Sequence, residues 1–139
     1  MIISLLKRLF SVDLYVRVYK NRFLITNLSG SGVETSFVPD QPFTTRRLLI
    51  GEFIPAETCL RRAVKEISGF RLFQPSTVMI LHPMDMMEGG ASSVEKKVFL
   101  DLTFGAGARD VIFWFGNELS ATEASQLLKD VRSGKRTPS

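Results

Sequence analysis

The chain has 139 residues, a formal net charge of +4 and one cysteine. That length fits one domain with a substantial core, and 45% hydrophobic with 23% charged residues is ordinary for a globular protein. One cysteine excludes an internal disulfide, no run reaches the roughly 18 apolar residues of a membrane span, and the scattered Lys and Arg lack the dense stripe of a nucleic-acid binder.

Residues 1–11 read as an amphipathic N-terminal segment. Wound as a helix, Ile2, Leu5, Leu6 and Leu9 gather on one side, with Lys7 and Arg8 away from them. Such a basic amphipathic segment lies in a membrane interface or packs on its own domain. On the first reading Ile2, Ile3, Leu5, Leu6, Leu9 and Phe10 are the membrane contacts. No small-residue cleavage site follows, so a secretory signal is not expected. The expected location is cytoplasmic, with peripheral attachment to the inner membrane as the finer alternative.

A single domain is expected over 12–133, followed by a disordered tail over 134–139. Val12, Leu14, Val16 and Val18 alternate with Asp13, Tyr15, Arg17 and Tyr19, the period of a half-buried strand. Lys20-Asn21 reads as a tight turn, 22–28 as the partner strand, 29–32 as a second turn and 33–38 as a third strand. A loop with two prolines follows. Pro55 suits the first turn of a helix in which Leu60, Ala63, Val64 and Ile67 make the buried stripe and Gly69 the stop. Residues 77–81 are a nearly unbroken apolar run, as in a central parallel strand, ended by His82-Pro83.

Ser92 with Glu95 and Ser120 with Glu123 form capping boxes that open two more helices. In the first, Val94, Val98 and Leu102 are expected to face the core. In the second, Ala124, Leu127, Leu128 and Val131 make the stripe. Between them 110–115 reads as a strand. The order βββαβαβα predicts an α/β domain: a mixed five-stranded sheet with helices on both faces, on the ribonuclease H-like plan.

Three segments resemble the bacterial actins of the MreB type, the rod-shape-determining ATPases. They are Ser11-Val-Asp-Leu-Tyr-Val-Arg-Val, Ala56-Glu57 with Leu60, Lys65 and Phe73-Gln-Pro-Ser, and Ala91–Phe113 with its Gly105-Ala-Gly-Ala-Arg-Asp-Val. Together they span roughly residues 8–115 of a fold equivalent to the first large subdomain of that family. The resemblance implies a first phosphate loop, Asp-Leu-Gly-Thr, at Arg17, Val18, Tyr19 and Lys20. Arg17 reverses the charge of the metal-linked acid, and Tyr19 adds bulk where phosphate needs bare backbone. The family's inserted small subdomain shrinks here to a loop, and the second half of the fold, with its second phosphate loop, has no counterpart. The resemblance therefore implies a degenerate, non-catalytic relative without cofactor or metal. Its partner would be a protein such as an MreB-type filament, the envelope machinery or a second copy.

Two other functions remain open on the same topology. A metal-dependent nuclease would need carboxylates to converge, with Asp13, Asp85 and Glu88 as candidates. A split ATPase would need a second chain to complete it. His82 is alone and reads as a structural hydrogen bonder, not a zinc ligand. Cys59 reads as a small buried apolar residue. Met84, Met86 and Met87, with Phe43, Phe53 and Phe104, are the expected partner-contact patch, because methionine adapts to varied surfaces.

Overall fold

The computed structural model describes residues 12–30, 32–69 and 77–135. The chain forms β1 (Val12–Tyr19), β2 (Arg22–Asn27), β3 (Glu34–Phe37), α1 (Phe53–Ser68), β4 (Thr77–Pro83), α2 (Ser93–Gly105), β5 (Ala108–Phe113) and α3 (Ala121–Arg132). The strands make one sheet in the order β3-β2-β1-β4-β5. β1 pairs antiparallel with β2, and β2 with β3, whereas β1–β4 and β4–β5 are parallel. The domain is thus α/β, with a mixed five-stranded sheet.

Local chemistry explains the boundaries. The β1–β2 hairpin turns at Asn21, whose φ of 51° is tolerated by a short polar side chain. Its Oδ1 accepts the N–H groups of Phe43 and Thr44, both at 2.9 Å, and so ties the long loop before α1 to the hairpin. α1 stops at Gly69, whose φ of 63° lets its N–H reach the Lys65 carbonyl. Both capping boxes form as expected and open α2 and α3.

The two faces of the sheet are covered differently. Leu14, Val16, Val18, Phe23, Ile25, Met79 and Leu81 join Ala56, Cys59, Leu60 and Ala63 of α1 and Phe99 and Leu102 of α2 in the main core. Tyr15, Ile80 and Ile112 meet Ala124, Leu127 and Leu128 of α3 on the other face. Helices therefore lie on both faces, and β1 is central.

Several expectations need correction. β1 is not half-buried, because Tyr15 and Arg17 are as buried as their apolar neighbours. A central strand covered on both faces leaves no wet side. Val94 does not face the core but is 69% exposed, and Phe99 and Thr103 complete the buried side of α2 with Leu102. Phe43 belongs to the core, stacked on Phe23 with ring centroids 5.0 Å apart, and is no part of a surface patch. β3 is shorter than 33–38, with Val33 and Val38 exposed beside it. β4 runs on through His82-Pro83, which bridge to Arg17 and Val18 of β1. β5 starts at Ala108 and ends at Phe113, before Trp114 and Phe115.

Candidate functional site

The functional candidate with the most chemistry is a buried polar network where β1 and β4 approach their carboxyl ends. In open α/β sheets this is the end at which ligands are usually bound. Arg17 and His82 are register partners there, and Tyr15 precedes Arg17 on the same face by strand alternation. The loop from β5 to α3 crosses this end and brings Glu118 and Leu119 onto it.

Arg17 is 3% exposed. One guanidinium nitrogen donates to Glu118 and the other to Glu34 at 2.6 Å and to Thr26 Oγ1 at 3.2 Å. Its guanidinium carbon also lies 5.0 Å from the Tyr15 ring centroid, a cation–π contact. Burial pulls the Arg17 pKa down, but the hydrogen bonds to Glu34 and Glu118 outweigh it and the net direction is up. The charge is therefore fixed. Both carboxylates are about half exposed, so they remain hydrated on their outer sides while they neutralise the cation. Nε of Arg17 is buried without a partner.

Tyr15 and His82 form the second half of the network. The Tyr15 hydroxyl lies 2.7 Å from His82 Nδ1 and accepts the Leu119 N–H at 3.1 Å. With one lone pair of the hydroxyl used by Leu119, its proton is free to bond a neutral imidazole. Burial lowers the His82 pKa, against a backbone bond to Gly116 and the Glu118 charge that push the other way. Burial likewise raises the Tyr15 pKa. Both groups are held neutral. The network thus ties the β5–α3 loop at Gly116, Glu118 and Leu119 to the middle of the sheet.

The residues singled out from the sequence occupy separate surroundings. Val18 lies in the core, Tyr19 is half-buried with Arg22 over its ring at 4.3 Å, and Lys20 is exposed in the hairpin turn. Arg17, Val18, Tyr19 and Lys20 therefore do not make one loop around a common centre. Three are strand residues with side chains on alternate faces. Asp13 is bound by Arg132 of α3 at 3.0 Å, whereas Asp85 accepts the Lys20 N–H at 2.9 Å. The two acids sit at opposite ends of β1, roughly 20 Å apart by strand rise. Glu88 is exposed in the following loop. Among the described residues no group of three or more His, Cys, Asp or Glu is placed to hold a metal ion. Burial raises the pKa of the Cys59 thiol and so disfavours a nucleophilic thiolate.

Met86 and Met87 are half-buried against the main core, and Met84 is also half-buried. Met86 has a φ of 58°, a conformation uncommon for a long side chain. Phe53 packs on the core from α1, and Phe104 is 47% exposed. Ile2, Ile3, Leu5, Leu6, Leu9 and Phe10, expected from the sequence as membrane contacts, lie outside the described residues. Among the described residues no helix is long and apolar enough to cross a membrane.

Sequence reasoning did not anticipate Tyr15, Glu34 or Glu118 as a unit with Arg17. The one available signal was Tyr and Arg at period two in a strand otherwise made of Val and Leu. Their partners lie far along the chain and carry no spacing pattern.

No protein-family model matches this chain. The chain is 29% identical over 98 residues to the uncharacterized protein YjaA of Escherichia coli (strain K12), an alignment covering 67% of this chain and 75% of that protein.

Proposed function

We propose that this chain is a non-catalytic domain of ribonuclease H-like plan, related to the actin-like half-fold, that works by binding protein. The observation that carries this reading is the state of Arg17. A phosphate- or metal-binding strand would place an acid and open backbone here. This chain places a buried guanidinium whose two ends are already taken by Glu34, Glu118 and Thr26. An incoming phosphate would have to displace two carboxylates from a desolvated cation, and the exchange has no evident net gain.

The nuclease reading depended on Asp13 and Asp85 meeting, and their opposite ends of β1 argue against it. The split-ATPase reading needs a second chain to supply phosphate contacts to this end of the sheet. Attachment to filament-forming or envelope proteins, and peripheral membrane contact through residues 2–10, belong to the same proposal by resemblance.

Calorimetry of the purified chain with ATP, ADP and Mg²⁺ tests it. No binding heat at millimolar ligand is the expected result. ATP binding by the chain alone would overturn the non-catalytic reading, and ATP binding that appears only with a partner protein would move it to the split ATPase. For the membrane component, sedimentation with anionic liposomes should drop when residues 2–10 are deleted. Unchanged sedimentation would remove that component.

A further inference from the structure

A shallow groove of about 200 Å³ lies between residues 48–50 and the first two turns of α2. Its walls are Leu48, Leu49, Ile50, Val94, Val98 and Phe99, with Ser92 and Glu95 at one end. Those two polar residues offer little to a ligand, because they satisfy each other in the capping box: Ser92 N–H donates to Glu95 Oε1 and Glu95 N–H donates to Ser92 Oγ. The interior of the groove is therefore apolar in its demands. It is smaller than the few hundred Å³ or more of a typical metabolite pocket, and is suited to a protruding side chain.

The apolar residues at its mouth remain in solvent. Val94 is 69% exposed and Leu48 is 38% exposed, although α2 buries Phe99, Leu102 and Thr103 without them. Beside Leu48 the chain makes a pinned turn. Thr45 N–H donates to the Leu48 carbonyl at 3.0 Å, and Leu48 N–H donates to Thr45 Oγ1 at 3.2 Å. The Thr45 side chain sits where a Cβ on Gly51 would be, so only glycine allows this packing. The turn is anchored further by Thr44, whose hydroxyl accepts the Asn21 N–H and donates to the Leu49 carbonyl.

The two residues at the tip of that turn are Arg46 and Arg47. Both are exposed, and neither pairs with a carboxylate among the described residues. The hydrogen-bonded turn thus places two exposed guanidinium groups, unpaired with carboxylates among the described residues, beside Leu48 of the apolar slot. Arginine in this setting favours a carboxylate partner, which it binds through a planar fork.

We propose that this groove docks an acidic, amphipathic segment of a partner protein. One aliphatic side chain of that segment would seat against Leu48, Val94 and Val98, and its neighbouring carboxylates would bond Arg46 and Arg47. The inference rests on the protein-binding reading and gives that reading a place and a partner chemistry. One feature favours a peptide over an anionic lipid surface: the apolar residues line a groove of about 200 Å³, the size of a single side chain, and do not form a protruding face that could enter a bilayer.

The test uses the full chain with a benzophenone side chain installed in place of Val94, and separately in place of Leu48, Arg109 or Lys129, photolysed in the native host. A protein adduct is expected at the first two positions, and the cross-linked peptide should carry an aliphatic residue flanked by Asp or Glu. The double change Arg46→Glu and Arg47→Glu should cut its yield about tenfold or more, while the chain keeps its fold by circular dichroism. Adducts only at Arg109 or Lys129 would overturn the groove and leave the protein-binding reading intact. Adducts at none of the four positions would overturn both. A basic or wholly apolar cross-linked peptide, or a yield insensitive to the two arginine changes, would overturn the partner chemistry. So would loss of protein adducts together with arginine-dependent sedimentation on phosphatidylglycerol vesicles.

Discussion

The two faces of β1 bury side chains almost equally but by different means. On one face Leu14, Val16 and Val18 lie under α1 and α2 in a core made of apolar contacts. On the other, Tyr15 and Arg17 are just as inaccessible, yet beside the apolar cover of α3 over Tyr15 they are held by a polar network contributed by β3 and the β5–α3 loop. The first face is stabilised by area removed from water, a term without direction. The second depends on geometry, because each buried polar atom needs a partner in place. The contrast teaches that burial alone does not tell which side of a strand can change. The apolar side tolerates similar volumes, and the polar side tolerates only residues that keep its bonds.

The largest effect should come from the apolar face. Phe99→Ala removes a fully buried ring between α2 and the sheet, and is expected to lower unfolding free energy by about 3–5 kcal/mol in urea titration. A loss under about 1 kcal/mol would mean that α2 is not needed to close that core.

Arg17→Ala should cost somewhat less, about 2–4 kcal/mol, because Glu34 and Glu118 are half exposed and can rehydrate when the cation is gone. Arg17→Met should recover part of that loss by filling the space. If both variants matched wild type, the polar face would be decoration on the fold. A more modest loss, about 1–2 kcal/mol, is expected for Tyr15→Phe, which strands His82 Nδ1 and the Leu119 N–H. Amide exchange at Leu119 should accelerate in that variant. Unchanged protection there would show that the loop is held by its ties at Gly116 and Glu118 without the Tyr15 hydroxyl.

The smallest effect is pH dependence from His82. Its folded pKa lies below its ordinary value of 6.5, with burial as the main cause. Below that ordinary value the unfolded chain binds the proton more readily than the folded one, so stability falls as pH drops and is fully present above it. The slope cannot exceed about 1.4 kcal/mol per pH unit for one group. His82→Gln should remove this component of the acid slope when unfolding is followed from pH 7.5 to 5. An identical slope in the variant would assign the acid sensitivity to other groups.

Much of the architecture was legible because local rules and the global fold agree. Two-residue alternation marks β1, and Lys20-Asn21 marks the hairpin. Gly69 ends α1, and Ser92–Glu95 and Ser120–Glu123 open the later helices, each through bonds made within a few residues. The order of these elements then leaves few ways to build a sheet. The errors lie where distant groups decide. Alternation in β1 suggested a wet side, but strand centrality and α3 buried it. Val94 fits an apolar stripe with Val98 and Leu102, but the buried side of α2 is set by Phe99, Leu102 and Thr103, and Val94 lies to one side of it. Arg17 could be seen in the sequence as a cation where the resemblance implied a metal-linked acid. That it is neutralised by Glu34 and Glu118, 17 and 101 positions away, was decided only by tertiary packing. The sequence by itself determined the helices, turns and most of the core, since backbone sterics, capping and periodicity act over short spans. Only the tertiary structure decided which polar residues are buried and paired, and which apolar ones remain at the surface, because desolvation and charge pairing depend on neighbours brought together from distant parts of the chain.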